Sequence, residues 1–269
     1  MRWVSLADDP GVGDALAAIE REVPPFLAEL TSASRAQLAE VAPELSWVVL
    51  EGERPVAAVR AAALVWDGTP AGAPAAGAAE AVGRAGEVDA DTLAVLDVTV
   101  AAEARGHGVG RAVLADLDAR RVGLGFERLL VLLRPHHKAN YPLVPFGRYL
   151  SFVTAAGEPY DPWLRTAWQL GLQPVLGVDR SLIARADVGQ WQRWLGLPIP
   201  GSGPYLLDGA IKPTVVEVEL DEGRYREPHL WAGATGTPVP PVPGTWLDAL
   251  AVAGVVAGDR AHREVRREL

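Results

Sequence analysis

The chain has 269 residues, no cysteine and a formal net charge of −9, which excludes disulfides, thiolate zinc sites and a cysteine nucleophile. The sequence lacks the basic footprint of a nucleic-acid-binding protein, and its negative charge argues against an anionic membrane surface as a partner. The first residues lack the apolar segment of a signal peptide, and no apolar run approaches the length of a membrane span. We therefore expect a cytoplasmic globular protein.

The N-terminal part of the chain predicts two helices and a hairpin. Residues 13–20 and 26–40 show helical periodicity of their apolar side chains. Two apolar runs flank the Gly-containing turn at residues 51–54 and predict a pair of strands. Residues 67–90, rich in Ala, Gly and Pro, predict a loop insertion with one short helix around residues 78–82.

The central part of the chain has the most regular pattern. Residues 93–100 form an apolar run that predicts a buried strand, residues 110–122 predict a helix, and residues 129–133 predict a second buried strand. Strand, helix and strand in this order indicate a βαβ unit, so the two strands should be parallel. A long connection at residues 134–159 follows and concentrates histidines and tyrosines, which favours a functional role.

The C-terminal part begins with a helix at Asp161-Pro162, because Asp is a preferred N-cap and Pro a preferred first helical residue. Two short strands near residues 173–178 and 181–185 are expected next, then a helix after Asp187. From residue 199 the pattern is less regular, with a strand at 214–220 and a short helix within 245–257.

These elements suggest one main domain at residues 1–198, which contains the loop insertion at 67–90 and the long connection at 134–159. Residues 199–269 are expected to be a C-terminal extension. It should pack on the core to about residue 232, then continue as a Pro-rich spacer at 235–244 and a charged tail.

The segment Arg105-Gly106-His107-Gly108-Val109-Gly110-Arg111 lies between the first buried strand and the helix. Glycines allow a positive φ and a close approach of the backbone to a ligand. The first N–H groups of the following helix have no partners within the helix, and with the helix dipole they form an anion site suited to phosphate. This loop is therefore the main candidate for a phosphate-bearing ligand.

Two common phosphate-binding motifs do not match this loop. A P-loop requires Gly-Lys-Ser/Thr, and no such triplet follows. In a dinucleotide fingerprint the third glycine would fall on Val113 or on Arg111, and Glu127 precedes the next strand instead of ending it. A nicotinamide cofactor is therefore disfavoured.

The spacing Arg105-x-x-Gly108-x-Gly110, after an apolar strand and before a helix, resembles the acyl-CoA signature of the GNAT superfamily of N-acyltransferases. The resemblance implies an α/β (or α+β) fold with a mixed, mostly antiparallel sheet, a central parallel strand pair and flanking helices. It implies that the amides of residues 106–111 hold the CoA pyrophosphate and that Val98 and Val100 lie on the strand that pairs with the pantetheine arm. The cofactor-binding residues implied are Val98, Val100, Arg105, Gly106, His107, Gly108, Val109, Gly110 and Arg111.

The resemblance covers roughly residues 20–185. Three further segments, DPWLRTAWQLGL, SGPYLLDGAIKP and EGRYREPHLW, are similar to a group of long bacterial GNAT proteins with a C-terminal extension. They carry little weight for function.

Acyl transfer to an amine requires a group that accepts the proton of the ammonium, directly or through water. Asp97 interrupts an apolar strand, either as a base or ammonium ligand or as an ordinary hydrogen-bonded acid. His136 and His137 follow the second strand, either as a base or as a solvated loop pair. The tyrosine with which the family often protonates the leaving thiolate is replaced here by Ala167. Two alternatives follow: Tyr149, or Tyr141, of the long connection substitutes for it, or CoA leaves as thiolate.

The function that the resemblance implies is acyl-CoA-dependent N-acyl transfer, with acetyl-CoA as the expected donor, to a small amine in a ternary complex. Asp97, His136 and Tyr149 are the expected catalytic residues, and no metal site is expected. Two alternatives remain open: an enzyme of secondary metabolism that decarboxylates or loads a CoA or carrier-protein thioester, and a non-catalytic acyl-CoA-binding protein. A carrier protein as partner and a homodimer also remain open.

Overall fold

The structure is a computed structural model that describes residues 1–21, 23–235 and 245–255. In these ranges the strands form one mixed sheet with the order β1-β2-β3-β4-β5-β9-β8-β7, and β6 pairs with β9. The strands are β1 (Arg2–Ser5), β2 (Ser46–Glu51), β3 (Arg54–Leu64), β4 (Thr92–Val100), β5 (Arg128–Leu133), β6 (Gln173–Ala186), β7 (Gly203–Tyr205), β8 (Thr214–Glu217) and β9 (Glu222–Thr235). The helices are α1 (Gly13–Glu20), α2 (Pro25–Val41), α3 (Ala78–Gly83), α4 (Val109–Gly123), α5 (Phe146–Leu150), α6 (Pro162–Gln169), α7 (Val188–Leu195) and α8 (Trp246–Val252).

The sheet confirms the predicted fold class. β4 and β5 are parallel, and the other pairs in the described part of the chain are antiparallel. The parallel pair arises because β4, α4 and β5 form the predicted βαβ crossover. The pair lies in the middle of the sheet, where both faces are covered and where a continuous apolar sequence is expected.

Helices cover both faces of the sheet. On one face, Val113, Leu114 and Leu117 of α4 pack against buried side chains of the central strands. On the other face, Leu16 and Ile19 of α1 pack against β2 and β3, while α2 and α3 cover the strands next to them. The sheet is thus the middle layer of the fold, and any central site must open between its strands and one helical layer.

Several predicted elements are confirmed: the two N-terminal helices, the hairpin of β2 and β3, the short helix α3, and the helices α6, α7 and α8. Two predictions need correction. Residues 173–185 belong to one strand, β6, whose pairing with β9 shifts register between Val178 and Leu182. The strand predicted at 214–220 ends at Glu217 and continues as a 3-10 turn.

The strand β9 corrects the expected domain boundary at residue 198. It runs from Glu222 to Thr235 between β5 and β6, so this part of the expected extension is an interior strand of the sheet. This strand was not predicted because charged residues and Pro228 interrupt the apolar pattern. Pro228 lies where the pairing with β6 is irregular and the pairing with β5 has ended, so its missing N–H costs no ladder bond there.

The C-terminal helix α8 packs on the core. Trp246 Nε1 donates to the Leu150 carbonyl at 2.7 Å, and its ring meets Trp168 edge to face at 5.6 Å. The Pro-rich spacer from residue 236 and the charged tail from residue 256 lie outside the described residues.

Candidate functional site

The strands β4 and β5 separate in the middle of the sheet. They pair only from Thr92 with Arg128 to Val95 with Val131. A bulge follows, because Arg60 of β3 pairs with Asp97 while its neighbour Ala61 pairs with Val95. Beyond the bulge, β4 continues to Val100 paired with β3, and no partner on the β5 side is found in the described part of the chain. The backbone of residues 96–100 is thus open toward a ligand, as expected for the strand beside a pantetheine arm.

The glycine loop reaches α4 at one end of this opening. Gly106 and Gly108 have φ values of 78° and 80°, so both occupy the region that favours glycine. Gly108 is the N-cap of α4, and a Cβ built on it would meet nothing within 4 Å. The backbone at Gly108 is therefore open to a ligand, and the N–H groups of the first turn of α4, which have no partner within the helix, suit a pyrophosphate.

Gly110 is glycine for a different reason. A Cβ at this position would lie 3.0 Å from Cζ3 of Trp163, so the first turn of α4 packs directly on the indole of α6. Arg105 Nε donates to the Val100 carbonyl at 2.9 Å, which ties the loop to the end of β4. Arg111 Nη1 donates to Gln169 Oε1 at 3.1 Å. These contacts hold the loop against both neighbouring elements.

A cavity of about 650 Å³ joins the loop to the opening between β4 and β5. Of the residues expected to bind the cofactor, all but His107 lie on its wall: Val98, Val100, Arg105, Gly106, Gly108, Val109, Gly110 and Arg111. Trp163 and Thr166 of α6 also line it, as do Leu27, Thr31 and Arg35 of α2. The cavity therefore extends from the α4 terminus to the face of the sheet beneath α2.

The half of the cavity near α2 is polar. Five ionisable residues from neighbouring strands reach it: Arg60, Asp97, Arg134, Glu227 and His229. Asp97 Oδ2 accepts from Arg35 Nη2 at 2.6 Å, and Asp97 Oδ1 accepts from the Thr99 hydroxyl at 3.1 Å. Both contacts orient the Asp97 carboxylate, which lines the cavity.

Arg35 and Arg60 form a buried ion-pair chain behind Asp97. Arg60 Nε donates to Glu20 Oε1 at 2.8 Å, and the same oxygen lies 3.7 Å from Arg35 Nε. Burial by itself would lower the pKa of Arg35, yet the carboxylates of Asp97 and Glu20 outweigh it and raise that pKa. The α1 and α2 helices are thereby fixed over the polar half of the cavity.

A second ion pair joins Arg134, the residue after β5, to Glu227 of β9. Arg134 donates to Glu227 through Nε at 2.6 Å and Nη2 at 3.1 Å, and Tyr225 and His229 also hydrogen-bond to the fully buried Glu227 carboxylate. Burial by itself would raise the pKa of Glu227, but Arg134 and then His229 hold it well below the ordinary value. Burial by itself would lower the pKa of Arg134, but the charge of Glu227 outweighs burial and raises that pKa. Both groups therefore stay charged.

His136 begins the 3-10 turn after β5, and its side chain lines the cavity. Asp161, the N-cap of α6, fixes this turn because its carboxylate accepts from the backbone N–H groups of His136 at 3.1 Å and His137 at 2.8 Å. Burial, and then repulsion from His137, lower the pKa of His136. The imidazole is therefore neutral at neutral pH and able to accept a proton.

Tyr149 has a different position from the one expected of a proton donor. Its side chain is 1% exposed, is not on the cavity wall, and its hydroxyl donates to Asp161 Oδ2 at 2.8 Å. Burial, and then the Asp161 carboxylate, raise the pKa of Tyr149. Tyr141 is also absent from the wall, and its hydroxyl meets that of Tyr160 at 2.9 Å. The geometry therefore assigns Tyr149 to holding Asp161.

Sequence reasoning missed Glu227 and His229, which lie on the unrecognised strand β9. No alternating apolar pattern over residues 222–229 pointed to this strand. Within the described ranges, no group of three or more His, Asp or Glu side chains is arranged to hold a metal ion. No helix of these ranges is long and apolar enough to cross a membrane.

Comparison with known proteins gives one similar sequence. An arginine N-acetyltransferase from Aspergillus versicolor is 32% identical, over 52% of this chain and 54% of that protein. The chain thus spans about half the length of the relative it matches. No family model matches the chain.

Among solved structures, a GNAT-like decarboxylase in complex with isobutyryl-CoA is 21% identical, with a TM-score of 0.47 over 66% of this chain and 89% of that chain. The aminoglycoside 6'-N-acetyltransferase from Enterococcus faecium is 11% identical, with a TM-score of 0.45 over 89% of this chain and 99% of that chain. The glycine loop before α4 and the mixed sheet that opens between its parallel strands agree with the GNAT resemblance of the sequence, and about half of the chain is similar to an N-acetyltransferase.

Proposed function

We propose that the protein transfers an acyl group, with acetyl as the first candidate, from CoA to the amine of a small molecule. The main observation for this proposal is that one continuous cavity joins the N-terminus of α4 to the opening between β4 and β5. A CoA thioester has an anionic pyrophosphate and an extended amide-containing arm. The helix terminus suits the first, and the open strand edge suits the second.

The polar half of the cavity supplies the acceptor side. The amine nitrogen attacks the thioester carbonyl carbon, so a C–N bond forms, the C–S bond breaks and CoA leaves as thiolate. Backbone N–H groups between Val98 and Val100 are placed to donate to the developing oxyanion. Holding amine and thioester at near-attack distance supplies much of the rate.

Proton transfer is assigned to the two predicted residues that reach the cavity. Asp97 carries a negative charge and is suited to hold the incoming ammonium. His136 stands where β5 leaves the opening, and its lowered pKa keeps it neutral, so it accepts the proton of the amine directly or through water. Ala167 is buried and provides no acid, which leaves the thiolate to depart unprotonated or to take its proton from water or the protonated His136.

The similar protein is named an arginine N-acetyltransferase, which supports an amine acceptor of amino-acid size. A donor carried on a protein instead of CoA, or a decarboxylation without any amine, remains the alternative that the missing tyrosine favours.

The test incubates the protein with acetyl-CoA and a panel of amino acids and small amines. Mass spectrometry should find an acetylated amine formed in equal amount to free CoA thiol. The proposal fails if CoA binds but no acetylated amine forms, or if malonyl-CoA loses its carboxyl group without an amine. A nicotinamide dinucleotide that stabilises the protein while CoA does not would contradict the cofactor assignment itself.

A further inference from the structure

We infer that Arg134 binds a carboxylate of the acceptor, so that the acceptor is an amino acid held between Arg134 and Asp97. This inference rests on the proposed function and adds to it the class of the acceptor and the residue that selects it. Nothing in the chain's similarity to other proteins assigns a role to Arg134.

The guanidinium of Arg134 has one edge occupied and one edge open. Nε and Nη2 donate to Glu227 at 2.6 and 3.1 Å, and Nη2 also donates to the Gly209 carbonyl at 2.6 Å. The Tyr225 hydroxyl also interacts with the guanidinium. The hydrogen bonds of Arg134 found within the described residues come from Nε and Nη2, and Nη1 is not among the fully buried unpaired atoms of these residues. The side chain is 31% exposed and lies on the cavity wall. Nη1 therefore offers its hydrogens to whatever fills the cavity.

The pairing with Glu227 fixes the direction of this edge. Glu227 is fully buried, and its carboxylate forms hydrogen bonds with Arg134, Tyr225 and His229. It therefore cannot rotate without losing several hydrogen bonds. A guanidinium held on two sides by a buried carboxylate and a carbonyl loses little conformational freedom when it binds an anion. Such an arginine is typical of a site that recognises a carboxylate oxygen.

Asp97 provides the opposite charge across the opening. The last pair between β4 and β5 is Val95 with Val131; Asp97 follows on β4 beyond this pair, and Arg134 is the first residue after the end of β5. The Asp97 side chain is 30% exposed and lines the same cavity. Its partners Arg35 and Thr99 each engage one oxygen, which leaves lone pairs for an ammonium. A cation site and an anion site on adjacent strands suit a molecule that carries both an amine and a carboxylate.

The experiment measures binding of the twenty L-amino acids in the presence of CoA, which has no acyl group to transfer. The dissociation constant of the tightest is then compared by calorimetry with those of its carboxamide and of the amine that lacks the carboxylate. A charge-assisted hydrogen bond predicts that the amino acid binds about 10- to 100-fold more tightly than either analogue. Equal affinities for acid and carboxamide, or no binding by any of the twenty, would overturn the inference.

The variant Arg134→Lys keeps a cation beside Glu227 but removes the open Nη1 edge. The preference for the acid over the carboxamide should fall to about threefold or less, from about 10- to 100-fold in the wild type. Arg224→Lys is the matched control, because Arg224 also pairs with a glutamate on β9, Glu222, and is not on the cavity wall. It should keep the full preference. If Arg134→Lys retains the preference, Arg134 does not read the carboxylate. If that variant fails to fold, the acid-to-carboxamide ratio of the wild type decides.

Failure of the proposed function is distinguishable from failure of this inference. An amino acid that binds through its carboxylate but is never acylated leaves the inference standing and removes the acyltransferase. Acylation of amines at equal efficiency with and without a carboxylate leaves the acyltransferase and removes the inference.

Discussion

The substitution Gly108→Asp tests the glycine loop most sharply. Gly108 is the N-cap of α4 with φ of 80°, and a Cβ there meets nothing within 4 Å. The folded chain therefore has room for the side chain. The cost is the left-handed backbone, roughly 1–2 kcal/mol, which a negative charge at a helix N-terminus offsets by about 0.3–1 kcal/mol. We expect the free energy of unfolding to change by no more than about 2 kcal/mol.

The effect on CoA should be much larger. The carboxylate would stand where the pyrophosphate approaches the first turn of α4. Loss of two charge-assisted hydrogen bonds removes roughly 3–6 kcal/mol of binding free energy, or about 10²- to 10⁴-fold in affinity. Repulsion between the carboxylate and the pyrophosphate adds to this loss.

Calorimetry of CoA binding and thermal melting of each variant provide the assay. Gly52→Asp is the matched control, because Gly52 in the hairpin turn has φ of 62° and an equally open surround but does not line the cavity. It should lose similar stability and keep full CoA affinity. Gly108→Asn then separates charge from bulk and should weaken CoA less than Asp. A folded Gly108→Asp protein with unchanged CoA affinity would refute the assignment of the loop.

Three other variants test neighbouring parts of the site. Tyr149→Phe removes a buried hydroxyl from the Asp161 carboxylate, so the free energy of unfolding should fall by about 1.5–3 kcal/mol. Because the Tyr149 ring is not on the cavity wall, kcat should fall less than in His136→Ala, and an equal fall in kcat would contradict this position. His136→Ala should lower kcat about 10²-fold with CoA affinity unchanged. Because a base must be unprotonated and the pKa of His136 is lowered, wild-type kcat should decline only below about pH 6.5, a decline that the variant should lose. Gly110→Ala should destabilise the protein by about 1–2 kcal/mol, because the added Cβ would press on the indole ring of Trp163. The cost of this overpacking exceeds the gain in helix propensity from glycine to alanine. Gly123→Ala at the other end of α4 has open space and should not destabilise; equal effects of the two would argue against the contact.

The centre of the fold was predictable because its physics is local. The strands β4 and β5 are continuous apolar runs, and the glycines before α4 report a loop whose backbone conformation few other residues adopt. The N-cap at Asp161 followed from the same kind of short-range rule. These features were sufficient to predict the order of strand, glycine loop and helix that places residues 105–111 at one end of the cavity.

The end of the cavity near α2 was less predictable because it is assembled by pairing between distant segments. β9 joins β5 across about a hundred residues and brings Glu227 and His229 beside Arg134, a contact that no local pattern reports. Tyr149 shows the converse error. Its place in the long connection suggested a role in chemistry, but only the tertiary structure shows that its hydroxyl is held by the Asp161 cap.

A crystal structure of the protein with acetyl-CoA would show whether the glycine loop holds a CoA thioester. We expect the pyrophosphate to contact the backbone N–H groups of residues 106–111. The thioester should then lie between β4 and β5, beside Val98 to Val100 and within reach, direct or through one water, of His136 or Asp97. Acetyl-CoA bound elsewhere, or a thioester carbonyl more than about 10 Å from both side chains, would contradict the account, because proton transfer requires hydrogen-bond reach or one bridging water.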